Sequence, residues 1–231
     1  MTFAKNAIKY YLSLASEQVE IPEGYRVINP YTGDNREQIE KVLKGFYTKF
    51  YNDKNQRRLI WGSSPARRGT ALIGVPFEDA AHLEQITGIK LEGFHISKAS
   101  SGFLQDVIEL YGGYEVFYKH FYMSFICPFG ISKVTPKGTE TNCNYYENKM
   151  LCDSVYDLIV KTIKNQLKFG IDTSVCYCIG SGENYKFLTN INKKYHFFNT
   201  IIALEHPRFI MQYNSRNKDT YIKKYLDALN I

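Results

Sequence analysis

The strongest concentration of reactive and ligand-binding residue types lies in a loop that follows a short apolar run. Leu59-Ile60-Trp61 predicts a buried strand, and residues 62–77 after it contain three glycines and two prolines. Glycine and proline together make a rigid loop whose backbone can approach a ligand closely. Arg67 and Arg68 supply positive charge for phosphate, and Phe77 supplies a flat apolar face. This glycine loop (residues 62–77) suits a planar group attached to a polyanion, and a nucleobase on a nucleic acid has that form.

A second candidate for chemistry follows the last apolar run. Residues 200–204 predict a strand, and His206-Pro207-Arg208 comes directly after Glu205. Ligands of open α/β sheets bind beyond the carboxyl ends of the strands, so His206 is expected to face the glycine loop. An imidazole there can donate a proton or stabilise an anion, although a histidine can also simply order the turn. Gly180-Ser181-Gly182 is a weaker signal, because such a turn can hold phosphate but more often only connects a strand to a helix.

The elements that must position these groups are short apolar strands separated by helices. The strands are predicted at 59–63, 122–127, 174–179 and 200–204, and the helices at 3–15, 39–50, 78–87, 103–111, 151–167 and 217–229. This pattern suits a four-stranded parallel sheet covered on both faces, which is a three-layer α/β/α sandwich. Residues 1–231 are expected to form one domain, with residues 1–55 as an N-terminal helical part packed on it. Residues 54–58 are interpreted as a polar turn, and residues 135–148 as an exposed excursion.

Composition narrows the function classes. The chain has 231 residues, 44% of them hydrophobic, and a formal net charge of +6, a modest basic excess compatible with nucleic acid. Its five cysteines lack the spacing of a disulfide framework or a zinc site, and they are too scattered for an iron–sulfur cluster. We expect no metal and no cofactor. The N-terminus lacks the apolar core of a signal peptide, and no run is long enough to span a membrane. A cytoplasmic monomer without membrane contact is therefore expected.

The glycine loop and the His206-Pro207-Arg208 segment together resemble the two signature motifs of the uracil-DNA glycosylase superfamily. The resemblance is to the single-strand-selective monofunctional branch and its bacterial relatives, and the order of elements is similar across nearly the whole chain. Seven positions of the loop match that branch without a gap: Gly62, Pro65, Gly69, Gly74, Val75, Pro76 and Phe77. Two positions depart from it. Ser64 stands where the branch has the Asn that orients the attacking water, and Ala66 stands where it has Gly.

The resemblance implies a monofunctional enzyme that flips uracil, or another deaminated base such as xanthine or hypoxanthine, out of DNA and hydrolyses its glycosidic bond. This is the first step of base-excision repair. Ser64 would hold the water and His206 would stabilise the departing base. The base-binding residues implied are Gly62, Ser63, Pro65, Ala66, Phe77 and Ser124. The residues implied to contact DNA are Arg67, Arg68, Arg208, Phe209, Ile210 and Met211. The last four, residues 208–211, would enter the duplex as a wedge and fill the gap left by the base.

Two other functions fit the same residues. A catalytically weak DNA- or base-binding module would keep the pocket while Ser64 replaces the water-positioning Asn. A nucleotide-handling α/β enzyme would instead use Gly180-Ser181-Gly182, and it predicts that mononucleotides bind better than oligonucleotides. Release of free base from a deaminated oligonucleotide distinguishes the glycosylase from both.

Overall fold

The computed structural model describes residues 1–94 and 98–230. Its strands are β1 (Tyr25–Ile28), β2 (Arg57–Gly62), β3 (Phe121–Phe125), β4 (Gly130–Val134), β5 (Glu140–Cys143), β6 (Ile171–Ile179) and β7 (Thr200–Leu204). Its helices are α1 (Phe3–Ser13), α2 (Arg36–Tyr51), α3 (Thr70–Ile73), α4 (Ala80–Thr87), α5 (Lys98–Tyr111), α6 (Tyr114–His120), α7 (Lys149–Leu167), α8 (Glu183–Tyr195), α9 (Pro207–Tyr213) and α10 (Lys218–Leu229). Each helix in this part of the chain is too short or too polar to cross a bilayer.

The predicted parallel sheet is confirmed. Its strand order is β3-β2-β6-β7, and every neighbouring pair is parallel. All the strands therefore end at one edge, where β2 runs into the glycine loop and β7 runs into His206. Because β6 lies between β2 and β7, the two strand ends are separated by about 10 Å, twice the roughly 4.8 Å spacing of neighbouring strands.

Helices cover both faces of this sheet, as an α/β/α sandwich requires. Trp61 and Arg58 lie on opposite faces of β2, because successive side chains of a strand alternate. The indole Nε1 of Trp61 donates to Gln166 Oε1 of α7 at 3.5 Å. On the other face, Arg58 donates to the carbonyl of Leu229 at the end of α10, also at 3.5 Å.

Aromatic side chains join the N-terminal part to the sheet. The ring of Phe3 on α1 stacks on Tyr51 of α2 with centroids 5.4 Å apart and meets Tyr122 of β3 edge-on at 5.1 Å. The rings of Phe3 and Tyr51 pack on Arg57, whose side chain is fully buried. The predicted polar turn at residues 54–58 therefore contains a core residue, and its last two residues belong to β2. The guanidinium binds Asp53 through two parallel hydrogen bonds of 2.8 and 2.9 Å.

A second, antiparallel sheet was not predicted. Its order is β1-β4-β5, and β5 falls within residues 135–148, which the sequence led us to interpret as an exposed excursion. That interpretation is wrong in part. The segment begins as a hairpin with exposed side chains, but Cys143 and Tyr145 near its end are buried.

Gly130 is where this second sheet meets the glycine loop. A Cβ at Gly130 would lie 2.5 Å from Ala71 Cβ and 3.1 Å from the carbonyl oxygen of Pro65. We expect Gly130→Ala to lower the free energy of unfolding by about 1–3 kcal/mol, because the loop must move to admit the methyl group. Urea denaturation measures this loss. Gly102→Ala, within α5, is the matched control, since a Cβ there meets no atom of the described residues within 4 Å. It should gain about 0.5–1 kcal/mol, and equal effects at both glycines would contradict the packing argument.

Candidate active site

The glycine loop begins where two aromatic rings pack onto the backbone. A Cβ at Gly62 would lie 2.7 Å from Phe77 Cζ and 3.0 Å from the ring of Phe125, so only glycine fits between the strand end and these rings. Further along, the short helix α3 closes the loop, and Ala66 N–H donates to Thr70 Oγ1 at 3.2 Å. The loop thus brings its two ends together, and Phe77 lies directly over the carboxyl end of β2.

Phe77 adopts an unusual backbone conformation, with φ of +63°. Such a conformation in a non-glycine residue costs roughly 1–3 kcal/mol and persists only where the surroundings enforce it. The two residues that follow provide that enforcement. Buried Glu78 accepts from Tyr118 OH at 2.6 Å and binds His82 Nδ1, while Asp79 caps α4 by accepting from the His82 N–H at 2.9 Å.

The ring of Phe77 is covered by Phe125, the last residue of β3. The two rings stack with centroids 4.8 Å apart and an interplanar angle of 26°. The cavity beside Phe125, lined also by Pro65 and Pro76, has a volume of only about 10 Å³, which is room for one water and far too little for a base. One face of the half-buried Phe77 ring is therefore covered by another side chain of the protein.

Ser124 lines the small cavity beside the glycine loop, together with Pro65 and Pro76. It is only 2% exposed, and its hydroxyl is hydrogen bonded to Tyr11 OH at 3.1 Å, which in turn accepts from Tyr122 OH at 2.9 Å. In this structure the Ser124 hydroxyl is therefore engaged by Tyr11, and its expected contact with the edge of a base stays a prediction. The neighbouring Phe125 lines the same cavity.

Ser63 and Ser64 share one hydrogen-bond acceptor that the sequence did not reveal. Asn144 Oδ1 accepts from Ser63 Oγ at 3.0 Å and from Ser64 Oγ at 3.3 Å. Asn144 follows β5, about 80 positions along the chain, in the segment interpreted as an exposed excursion. The structure therefore places the amide of Asn144 beside Ser63 and Ser64, whose own side chains carry only hydroxyls.

His206 marks the end of β7 and the start of α9. Its Nδ1 accepts a hydrogen bond from the Arg208 N–H at 3.0 Å, so the imidazole caps the helix and Pro207 occupies the first helical position. In the neutral ring the hydrogen then resides on Nε2, which is left as a donor. Desolvation by the surrounding protein and the charge of Arg208 both lower the pKa of His206 from its ordinary value of 6.5. The ring is thus a neutral hydrogen-bond donor near pH 7.

The charged and apolar groups expected to contact DNA are only partly on the surface. Arg68 is exposed, and half-buried Arg67 lies 3.9 Å from the Glu140 carboxylate. On α9, Arg208 and Phe209 are exposed and Met211 is half-buried. Ile210 is fully buried, so its expected place in a wedge is wrong: helical spacing turns it into the core.

Tyr213 was missed, and helical spacing identifies it. It lies four residues after Phe209 on the same side of α9, with the two ring centroids 5.9 Å apart. The two residues are 47% and 70% exposed, respectively, an unusual exposure for a pair of aromatic side chains. The exposed surface after His206 is therefore an aromatic pair flanked by Arg208.

Comparison with known proteins shows the family and the fold of the chain. Residues 48–230 match the Uracil DNA glycosylase superfamily, so the chain belongs to that superfamily and is a DNA glycosylase. Its structure is similar to the crystal structure of wild-type SMUG2 from Pedobacter heparinus, with a TM-score of 0.93 and 42% sequence identity. That similarity covers 100% of this chain and 97% of the other. No curated protein matches the chain.

The fold, the enzyme class and the resemblance predicted from the two motifs are confirmed by these similarities. The structure also gives the five cysteines as free thiols, all but Cys152 buried. Within residues 1–94 and 98–230, no group of three His, Cys, Asp or Glu side chains is arranged to hold a metal ion.

Proposed function

We propose that this protein is a monofunctional glycosylase that flips uracil, or another deaminated base such as xanthine or hypoxanthine, out of DNA and hydrolyses its glycosidic bond. The observation that carries the proposal is the shared sheet edge: the strained Phe77 of the glycine loop and the imidazole of His206 follow strands two positions apart in one parallel sheet. As part of the proposal the protein acts as a cytoplasmic monomer in base-excision repair.

Base flipping brings the substrate to Phe77. Extruding a base from a duplex costs a few kcal/mol, and less for a mispaired one, which favours deaminated bases. Stacking on an aromatic ring returns roughly 1–3 kcal/mol. The ring of Phe125 must first leave the face of Phe77, because the two rings are in contact. Ala66 is exposed, and its small side chain would leave space at the site for purines such as xanthine and hypoxanthine.

His206 would act on the departing base. When the bond between C1′ and the base nitrogen breaks, its electron pair leaves with the base, which becomes an anion. The Nε2–H of His206 can donate a hydrogen bond to that anion, a form of electrostatic stabilisation that preorganised donors provide. The positive end of α9 and Arg208 lie beside the same ring and favour negative charge there.

Water completes the reaction. Its oxygen bonds to C1′ as the base leaves, one of its protons passes to solvent, and the base anion takes up a proton. Ser64 would hold this water, since its hydroxyl lies in the glycine loop at the carboxyl edge of the sheet. The products are the free base and an abasic sugar carrying a hydroxyl at C1′.

The DNA strand would lie across the loops at this edge. Arg67, Arg68 and Arg208 supply charge for phosphates, and Phe209 with Tyr213 supplies the apolar surface that enters the stack. Apolar side chains that insert between base steps serve this purpose in other DNA-binding proteins.

Base release from oligonucleotides tests the proposed function. Single- and double-stranded oligonucleotides that contain uracil, xanthine or hypoxanthine are incubated with the protein, and abasic sites are scored by alkaline cleavage. We expect cleavage at the modified position and free base in solution. Duplex binding with no abasic product would show instead a binding module, and preferential binding of mononucleotides would favour a nucleotide-handling enzyme.

The pH dependence follows from His206. Protonation of Nδ1 breaks the bond from Arg208 N–H and converts the neutral ring to a cation. Without that bond the ring is no longer held with Nε2–H directed at the departing base, and this loss of orientation is the reason for the expected fall in rate. Because the pKa of His206 is lowered, it happens only below the ordinary value of 6.5, so the rate of base release should be level near neutral pH and fall at lower pH.

Proton NMR checks the titration directly. For His82, burial disfavours the charged ring, but the bonded Glu78 carboxylate outweighs this and raises the pKa. The two imidazoles should therefore titrate on opposite sides of 6.5, with His206 below and His82 above. A His206 midpoint above 6.5, or a rate that rises on acidification through that midpoint, would contradict the assignment of a neutral imidazole.

A further inference from the structure

The amide of Asn144 is bound through both of its polar atoms, and these face different parts of the molecule. Its Oδ1 accepts from Ser63 Oγ and Ser64 Oγ of the glycine loop, at 3.0 and 3.3 Å. Its Nδ2 donates to Glu147 Oε1 at 2.9 Å, and its backbone N–H donates to the same oxygen at 2.8 Å. Asn144 therefore bridges the glycine loop and the turn that precedes α7.

Glu147 determines the orientation of this amide. A carboxylate only accepts hydrogen bonds, so it attracts the NH₂ group of Asn144 and repels its carbonyl oxygen. With the NH₂ group turned toward Glu147, the oxygen faces the two serines. The orientation is thus set by charge and does not depend on the serine hydroxyls.

The turn itself is fixed to the parallel sheet. Tyr145, next to Asn144, is fully buried, and its hydroxyl donates to Asn184 Oδ1 at 2.8 Å. The Nδ2 of Asn184 donates in turn to the carbonyl of Ile179, the last residue of β6, at 2.9 Å. Asn144 is therefore held at the same sheet edge as the glycine loop and His206.

These contacts determine what the Ser64 hydroxyl can do. A serine hydroxyl has one hydrogen and two lone pairs, and here the hydrogen is directed to Asn144 Oδ1. Only lone pairs remain for a third partner, so a water at Ser64 must donate one of its hydrogens. The oxygen lone pairs of that water then point away from Ser64 and are free to attack a carbon.

We propose that Asn144 is a positioning residue for the hydrolytic step, and that it makes Ser64 an obligate hydrogen-bond acceptor for the attacking water. Glu147 supports this role by holding the amide in the required orientation. The inference rests on the proposed function, because the water matters only if the glycosidic bond is hydrolysed. Asn144 itself touches the serine, not the substrate.

Single-turnover base release from a uracil-containing oligonucleotide, with enzyme in excess, tests the inference, and affinity for the same oligonucleotide is measured separately. Asn144→Ala should lower the rate about 10- to 100-fold, the size of effect that a small misplacement of a reacting group produces. Affinity should not change, since a positioning residue acts on the chemical step. Glu147→Ala, at an exposed position, should lower the rate by a smaller factor, again without a change in affinity.

Double variants distinguish positioning from a general structural role. If Asn144 acts through Ser64, then Asn144→Ala has no further effect once Ser64→Ala is present, whereas independent effects would multiply. Ser64→Asn combined with Asn144→Ala should recover most of the lost rate, because the new side chain brings its own carbonyl oxygen into the space that Asn144 vacates. Loss of stability alone predicts no such recovery.

The outcomes separate the inference from the function on which it rests. Thr141→Ala, an exposed position on the same strand β5, is the control and should match the wild-type rate. A wild-type protein that releases no base would overturn the proposed function and this inference together. An active wild type with an equally active Asn144→Ala variant, or with multiplicative effects at Ser64 and Asn144, would overturn the inference alone.

Discussion

Replacing His206 by alanine is expected to lower the rate of base release by about 10²–10³-fold, the loss seen when one preorganised donor to a developing anion is removed. The structure gives this imidazole a single free donor, Nε2–H, because Nδ1 is occupied by the Arg208 N–H. Single-turnover base release measures the effect. Oligonucleotide affinity should change little, because the donor acts on charge that develops only as the bond breaks.

The same substitution also removes the cap of α9, so a second variant is needed. His206→Asn keeps a side-chain acceptor at the cap position, and Asn is among the preferred capping residues. This variant should retain the stability of the wild type and remain as inactive as His206→Ala. His120→Ala is the matched control, since His120 is exposed and lies at the opposite, amino edge of the sheet, just before β3. A fully active His206→Asn variant would remove the imidazole from the mechanism.

Replacing Arg57 by alanine is expected to give the largest loss of stability, about 2–5 kcal/mol, because truncating a fully buried side chain leaves a cavity and unpaired buried acceptors. Its partner Asp53 is 38% exposed, so the loss comes from the buried side of the contact and not from the carboxylate. Arg57 binds Asp53 bidentately and donates from Nε to the Tyr118 carbonyl at 2.6 Å. Its guanidinium also lies 4.7 Å from the ring centroids of both Phe3 and Tyr51. One side chain thus joins α1, α2, α6 and the start of β2.

Urea denaturation measures this loss, and an exposed ion pair provides the comparison. Arg26 pairs with Glu140 while its side chain stays 64% exposed, and such pairs contribute about 0–1 kcal/mol. Arg26→Ala should therefore leave the midpoint nearly unchanged. Arg57→Lys should also destabilise, because an ammonium cannot form the bidentate pair with Asp53. An Arg57→Ala variant as stable as Arg26→Ala would show that the buried cluster contributes little.

The parts of the fold that could be predicted are those in which a continuous apolar run specifies burial. The run around Trp61 and the strand Thr200–Leu204 are examples, and the second was predicted with its observed limits. Arg57 shows why the predicted start of a strand can be wrong: a charged residue that follows Lys54, Asn55 and Gln56 suggests a turn. Its burial depends on Asp53 and on rings contributed by distant helices.

The candidate site could be predicted where it lies within one segment. The glycine loop and the His206 segment follow directly from their own residues. Asn144 could not be found in this way, because its bond to Ser64 exists only after β5 has paired with β4 and folded back. For α9 the sequence did contain a usable signal, since a proline after a capping residue is typical of a helix start. Helical spacing then separates buried Ile210 from exposed Phe209 and Tyr213.

The contact between Phe77 and Phe125 has a consequence for the energetics of recognition and turnover. If a nucleobase stacks on Phe77 as proposed, it would displace a phenyl group instead of solvent and would gain only the difference between two stacking contacts. An aromatic pair contributes roughly 0.5–1.5 kcal/mol beyond its buried area, while a stacked base contributes roughly 1–3 kcal/mol. After cleavage the returning phenyl group would compete with the liberated base for the same surface. On the proposed mechanism, weak inhibition by the free base is therefore expected.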